Sequence, residues 1–343
     1  MAQHLNFSSI SLNIYITLII VNFLIFIFFR KFSNFLGVYD YPNKRKIHTK
    51  KISSIGGVIF LINLITIFFL YFYNFNFSFE FIESFNYLFR NKKEFLAFLL
   101  GIIFFFILGY LDDKYNLSPN NKIFWILIIL SIILLLDENL RIDRIFILEK
   151  FEINFSSSSF FFTMLCIISF INFINMFDGI NLQVISYVFF IICFLIFKNI
   201  FFLIYFLIPL LFLLILNYKN IIFLGNNGSI LISFWLSFIL IKTHKVNLIT
   251  FEDVVLLLFV PFFDMIRLMI FRTLNDKHLF TASMDHIHHI LLRKIGFTKT
   301  TLIIQSMIIF PVIANQIYNY SYLYVFLVII GYIYLIKKYN NNV

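Results

Sequence analysis

Two adjacent carboxylates, Asp112 and Asp113, close the run Gly109-Tyr-Leu-Asp112-Asp113 at the end of a long apolar stretch. Acidic side chains suit a helix N-terminus better than a C-terminus, so the pair points to metal or proton work rather than to helix termination. Four further polar clusters follow the same habit of standing at the edges of apolar runs. They are Asp40-Tyr-Pro-Asn-Lys-Arg-Lys-Ile-His48, continuing to Gly56-Gly57; Asn172-Phe-Ile-Asn175-Met-Phe-Asp178-Gly179; Phe223-Leu-Gly225-Asn226-Asn227-Gly228-Ser229; and His286-Ile-His288-His289. The basic run 44–51 reads either as an anchor for anionic lipid headgroups or as a phosphate grip. His286 and His289, at i and i+3, suit zinc on a helix face, but no third ligand is apparent, and phosphate binding fits equally well. The Gly-Asn-Asn-Gly-Ser turn either caps a helix or forms an anion site at its N-terminus. Asp264 and Arg267, also at i and i+3, read as a structural ion pair. Taken together, carboxylates for a magnesium ion, basic and imidazole groups for phosphates and a helix N-terminus make a parts list for phosphoryl transfer.

The elements that hold these clusters are apolar helices. Eleven stretches are long enough or nearly so to span a bilayer: 11–29, 56–73, 95–111, 122–136, 158–175, 180–197, 200–216, 228–241, 252–271, 300–316 and 320–336. Without water to satisfy the backbone, each must be helical, which predicts an all-α integral membrane protein with about 11 transmembrane helices. The first stretch lacks a basic flank before it and a small-residue cleavage site after it, so it reads as a span rather than a removed signal peptide. Placing the N-terminus outside and the C-terminus in the cytoplasm gives the cytoplasmic segments nearly twice as many Lys and Arg as the external ones. All five clusters then fall on the cytoplasmic side. The expected organisation is a single polytopic domain over residues 1–343, with its site built from the loops 30–55, 109–122, 172–183, 217–229 and 272–299. Apolar helices beside that site suggest that one reactant is a lipid.

Composition agrees. Of 343 residues, 61% are hydrophobic and 13% charged, where a soluble domain carries about 25% charged. The net charge of +10 follows from basic cytoplasmic loops and supplies no nucleic-acid-binding patch or fold. Cys166 and Cys193 both lie in apolar runs, with neither disulfide nor metal-ligand spacing. There are 52 Phe but only 10 Gly, and six of those glycines (Gly56, Gly57, Gly109, Gly179, Gly225 and Gly228) stand beside the polar clusters.

In order and wording, the clusters resemble the polyprenyl-phosphate N-acetylhexosamine-1-phosphate transferases. The pattern D-x-P-x-x-R-K-x-H followed by G-G matches Asp40, Pro42, Arg45, Lys46, His48, Gly56 and Gly57. G-x-x-D-D matches Gly109, Asp112 and Asp113, with Leu117, Ser118 and Lys122 following as in the family. N-x-x-N-x-x-D-G matches Asn172, Asn175, Asp178 and Gly179, and H-x-H-H matches His286, His288 and His289, preceded by Asp264 and Arg272. The H-x-H-H form is similar to the GlcNAc-type branch rather than to the MurNAc-pentapeptide branch, which carries three consecutive histidines.

The resemblance implies transfer of an N-acetylhexosamine 1-phosphate from a UDP-sugar to undecaprenyl phosphate, with UMP released, at the start of a cell-surface polysaccharide. It implies magnesium as cofactor, with manganese as an alternative, and a place in a bacterial inner membrane among membrane lipids, with a homodimer allowed and no nucleic acid involved. Asp112, Asp113 and Asp178 would be catalytic, and the same three with Asn226 would hold the metal. Lys44, Arg45, Lys46, His48, Lys122, Asn172, Asn175, His286, His288 and His289 would bind substrate, and Phe223 would stack on the uracil ring. Three departures stand out. Asn226 replaces a metal-binding Asp of the family's G-D-x-G-S; Asn181-Leu182-Gln183 replaces D-G-L; and Ser283-Met284 precede the histidines where Asp and Arg are common. They sustain a rival reading, a catalytically inactive homologue acting as a membrane scaffold or lipid-binding protein.

Overall fold

A computed structural model describes residues 12–42, 50–73, 77, 79–148, 150–276 and 284–339, with the side chain of residue 80 excepted. Among them the chain is α-helical apart from two small hairpins. Helix α1 (Leu12–Leu36) leads through strands β1 (Tyr39–Asp40) and β2 (Ile52–Ser53) to α2 (Gly56–Phe72), α3 (Phe79–Leu88), α4 (Lys92–Tyr115) and α5 (Pro119–Leu136). Strands β3 (Arg144–Ile147) and β4 (Phe151–Asn154) precede α6 (Ser159–Phe177), α7 (Gln183–Phe197), α8 (Leu207–Tyr218), α9 (Gly225–Lys245) and α10 (Phe251–Leu274). The chain ends in α11 (Ile287–Ile295), α12 (Phe297–Tyr318) and α13 (Ser321–Tyr339). β1 pairs antiparallel with β2, and β3 with β4.

Each of the eleven apolar stretches coincides with a helix. Among the described residues, eight helices are long and apolar enough to cross a membrane, one of them formed by α8 with the 3₁₀ turn before it, and α2 and α7 are apolar but shorter. α9 differs in kind. Its polar residues are built in at regular spacing, and Asn227 through Leu240 are all buried. Ser229, Ser233 and Ser237 put a small side chain on one face every fourth residue, the device by which membrane helices approach closely. The Ser233 hydroxyl bonds back to the Ser229 carbonyl and that of Ser237 to Phe234, which satisfies them without a lipid-exposed polar atom. α9 is therefore the core of the bundle, packed against α2, α4 and α6.

α4 runs antiparallel along α9, and three points fix their register. A Cβ on Gly109 would lie 2.5 Å from the Asn226 carbonyl oxygen, one on Gly101 would lie 2.3 Å from the Phe234 ring, and Lys242 reaches Glu94. Glycine at 109 is what lets the start of α9 touch the end of α4. Glu94 and Asp112 are eighteen residues apart on α4, so the two ends of this pair lie roughly 27 Å apart.

Three segments connecting the expected spans hold structure of their own. α3 buries Phe81, Phe85 and Leu88 and accepts the Phe202 N–H on the Ser84 hydroxyl; the β3–β4 hairpin lies within 137–157; and α11 lies within 272–299. Within the membrane, α1 and α2 are pinned by the amides of Asn22 and Asn63, which exchange hydrogen bonds of 2.7 and 3.0 Å.

Candidate active site

The polar clusters meet where the end of α4, the end of α6 and the start of α9 come together. Asp112 and Asp113 are neighbours on α4, and adjacent helical positions point about 100° apart, so they reach different partners. Asp112 is buried and paired with the Lys122 ammonium of α5 at 2.5 Å. Asp113 turns to α9 and accepts the N–H groups of Asn226 on one oxygen and Asn227 on the other, both at 2.9 Å. The Asn227 side-chain amide donates to the same carboxylate and also, at 2.6 Å, to the Ser54 carbonyl. A carboxylate on the orphan N–H groups of a helix N-terminus is a strong capping arrangement. Asp113 thus fixes where α9 starts.

α6 enters from the other side. The Asn175 amide donates to the Asn226 Oδ1 at 3.0 Å and to the Ser229 hydroxyl at 2.9 Å. One turn on, α6 stops at Asp178, its C-cap residue. The Asp178 side chain is half-buried, with no hydrogen-bond partner among the described residues. Burial, and then the Asp113 charge, push its carboxyl up to about 7. Asn172 lies half-buried two turns back on α6.

The remaining wall comes from the segment before α9 and from the histidines. Phe223 donates its N–H to the Ser53 carbonyl at 2.8 Å and accepts the Gly56 N–H at 3.1 Å, which staples the Gly56-Gly57 turn to the approach to α9. His288 is buried against Gly179, where a Cβ would sit 2.0 Å from its Nε2, and both its ring nitrogens lack a partner among the described residues.

A sequence model of glycosyl transferase family 4 matches residues 95–244, the segment that contributes α4, α6 and α9. Similar proteins include the probable undecaprenyl-phosphate N-acetylglucosaminyl 1-phosphate transferase of Bacillus subtilis, 27% identical over 74% of this chain and 69% of that one. The undecaprenyl-phosphate alpha-N-acetylglucosaminyl 1-phosphate transferase of Escherichia coli O157:H7 is 26% identical over 80% of this chain and 74% of its own length. The protein of the same name from Thermotoga maritima is 32% identical over 31% of this chain and 36% of its own.

The chain is similar to glycosyl transferase family 4 through its central helices.

Within the structure, Asp113, Asn175, Asp178, Asn226, Gly179 and His288 are drawn together, while Asp112 is committed to Lys122. Lys44, Arg45, Lys46 and His48 lie outside the described residues. His286 is the N-cap of α11 rather than a residue on its face, and its Nδ1 is 2.7 Å from Asp264. Asp264 does more than pair with Arg267 at 3.1 Å. It also accepts the Ile287 N–H at 3.1 Å and the Tyr332 hydroxyl, so it anchors the histidine segment to α10 and α13.

Two sets of side chains offer themselves to a metal. Asp264, His286 and His288 have ligand atoms within 4.8 Å of one another, a nitrogen-rich set suited to zinc. The Arg267 guanidinium already neutralises that carboxylate, so a further cation there would meet a positive neighbour. Around Asp178 the donors are oxygens, and the Asp113 carboxylate is close enough to act on it electrostatically. That set fits magnesium. The imidazoles face the opposite demand. Burial, and then the other histidines, hold His288 well below its ordinary pKa, and burial with His286 and Arg293 brings His289 down to about 4. Both are neutral at pH 7, so what they offer a ligand is an N–H donor and not a charge.

The sequence gives no separate role to Asn227, Ser229 or Tyr332. Asn227 and Ser229 belong to the Gly225–Ser229 motif and were within reach. Tyr332 sits in a span with several other tyrosines, and nothing local singles it out.

Proposed function

We propose that this chain transfers a sugar 1-phosphate, of the N-acetylhexosamine type, from a UDP-sugar to undecaprenyl phosphate and releases UMP. The observation that carries the reading is the meeting of Asp113, Asn175, Asp178 and Asn226 from three separate helices at one edge of the bundle. The relatives' names support the acceptor and the class of reaction, and the H-x-H-H segment supports an N-acetylglucosamine-type donor.

In this reading an oxygen of the lipid phosphate bonds to the sugar-bearing phosphorus of the donor. The bond from that phosphorus to UMP breaks, and UMP keeps the bridging oxygen. Asp178, Asp113 and the neutral carbonyl of Asn226 would hold magnesium, which would supply charge neutralisation for the departing phosphate. Asp113 holds the α9 N-terminus in place, so that the helix dipole faces the donor phosphates. Lys122 pairs with Asp112 beside the site and offers a cation to the acceptor. Asp178, the carboxylate left without a hydrogen-bond partner among the described residues, takes a proton from the incoming lipid phosphate. His288 and His289 donate N–H bonds to the donor, and Phe223 presents its ring to the base.

The test is UMP release by the purified protein given undecaprenyl phosphate and a panel of UDP-sugars with magnesium. The site should face the cytoplasm of a bacterial inner membrane. A cysteine placed at Lys50, in a chain with Cys166 and Cys193 replaced by Ser, should react with impermeant thiol reagents in inverted vesicles and resist them in intact cells. Labelling from outside would reverse the orientation.

A further inference from the structure

A second polar pocket stands beside α1. It encloses about 530 Å³ between the end of α1, the β1–β2 hairpin and the turn at 220–221, and its lining includes Phe29, Arg30, Asn34, Tyr39, Lys51 and Asn220. No carboxylate lines it among the described residues. Arg30 lies over the Phe29 ring at 5.7 Å and Lys51 over the Tyr39 ring at 4.7 Å. Aromatic faces hold cations in position without cancelling their charge. The two asparagines add to the same character. Asn34 Oδ1 accepts the Tyr39 hydroxyl and Asn220 Oδ1 accepts the Asn181 amide, so what each side chain has left to offer is its NH₂ group. Two cations and two amide donors around one cavity make an anion site.

Its surroundings say which anion. Phe35 on α1 is 87% exposed, and Ile215 and Tyr218 on α8 are 54% and 64% exposed. These are lipid-facing surfaces of two helices that pack against each other, with Phe26 and Phe212 in contact across the seam. The pocket sits at the end of that seam, where an acyl or prenyl chain lying along the groove would bring its headgroup. Basic pockets between membrane helices near the surface are suited to lipid phosphates.

We propose that this pocket holds the phosphate of a membrane lipid, clasped by Arg30 and Lys51. The site is separate from the transfer reading and stands without it. It adjoins the catalytic end structurally, because the Ser53 carbonyl on the pocket's strand accepts the Phe223 N–H and the next carbonyl, of Ser54, accepts Asn227.

The test uses the full chain in phosphatidylcholine nanodiscs containing phosphatidylglycerol, with retained lipid counted by native mass spectrometry after gentle delipidation. The parent should keep a phosphatidylglycerol that the Arg30→Gln/Lys51→Gln variant loses, with apparent affinity down about tenfold or more, since each basic residue at a membrane surface contributes appreciably. Arg30→Lys should retain most of the binding, and Lys92→Gln/Lys93→Gln, at the other end of α4, should behave as the parent. Repeating the experiment with undecaprenyl phosphate in place of phosphatidylglycerol names the lipid class: retention that depends on Arg30 and Lys51 in either arm supports the site. Equal retention by parent and Arg30→Gln/Lys51→Gln in both arms overturns it. So does displacement of the lipid by millimolar inorganic phosphate, which would make the pocket a free-anion site. Unfolding midpoints of all variants, read alongside, distinguish lost binding from lost fold.

Discussion

The two ends of the α4–α9 pair are both polar, and they are polar in opposite ways. At the end away from the candidate site, Lys242 is buried between Glu94 and Asp137, 2.8 Å from an oxygen of each. Glu94 also accepts the Asn139 amide at 2.7 Å, the Asn91 amide at 3.1 Å and the Arg90 N–H at 3.2 Å. The network is closed, and its charges answer one another in place. At the other end Asp113 is satisfied by α9, but Asp178 and His288 are not satisfied by anything described. A buried polar group without a partner costs stability, about 1–3 kcal/mol, and such debts are retained where substrate or metal settles them. One end of the helix pair closes on itself, and the other keeps polar groups that no described residue satisfies.

The comparison can be broken from either end. Asp178→Asn removes a carboxylate that no described residue hydrogen-bonds, and UMP release should fall by about 10²-fold or more, as for other lost electrostatic groups in active sites. Glu94→Gln should leave the rate per folded molecule within about twofold. Equal losses from both would erase the distinction between the ends.

Lys242→Met should do the reverse. It strands two buried carboxylates, a change that costs about 3–5 kcal/mol when one partner of a buried pair is lost. Thermal unfolding in detergent should show a marked drop. The triple variant Lys242→Met/Glu94→Gln/Asp137→Asn should recover most of it, because no charge is left uncompensated. A single variant as stable as the parent would show that the network does not hold the fold.

Gly109→Ala comes next. Its methyl group would meet backbone atoms of Asn226 and Asn227 at 2.5 and 2.6 Å, and overpacking of this kind costs about 1–3 kcal/mol. The start of α9 must shift, so the rate should fall as well. Gly331→Ala on α13, with nothing within 4 Å of its added methyl, should be neutral or slightly stabilising, as Ala is the better helix former. Similar behaviour of the two variants would count against the close α4–α9 contact.

The smallest effect belongs to Asn226→Asp. The substitution is nearly isosteric and can keep the hydrogen bond from Asn175, but it adds a third carboxylate beside Asp113 and Asp178. Magnesium relies on one or two carboxylates with substrate phosphates, so the magnesium concentration for half-maximal UMP release should fall several-fold. A native protein inert at every magnesium concentration, with turnover restored in the Asp variant, would favour a silenced relative acting as a scaffold.

Much of this was legible in the sequence, and for a physical reason. Apolar runs near twenty residues leave the backbone little choice but a helix, and every such run became one. The motif residues were legible because rare polar groups stand out against so apolar a background. What stayed hidden depends on distance in the chain. Glu94, Asp137 and Lys242 carry no local pattern, and each alone reads as an ordinary loop or helix-end charge. Paired carboxylates look like one unit in sequence, yet helical geometry sends Asp112 to Lys122 and Asp113 to α9. α3 was passed over because its stretch of chain is too polar for a span, although Phe77, Phe81, Phe85 and Phe89 recur at helical spacing.

The central claim is that the open end of the α4–α9 pair carries out metal-dependent phosphoryl transfer to a lipid. The most direct measurement follows UMP and lipid-linked sugar phosphate together, using purified chain in nanodiscs with undecaprenyl phosphate, UDP-N-acetylglucosamine and magnesium. The account predicts equal amounts of the two products, abolished by a chelator and by Asp178→Asn. A folded protein that forms neither product from any UDP-N-acetylhexosamine, at any magnesium concentration, would contradict it.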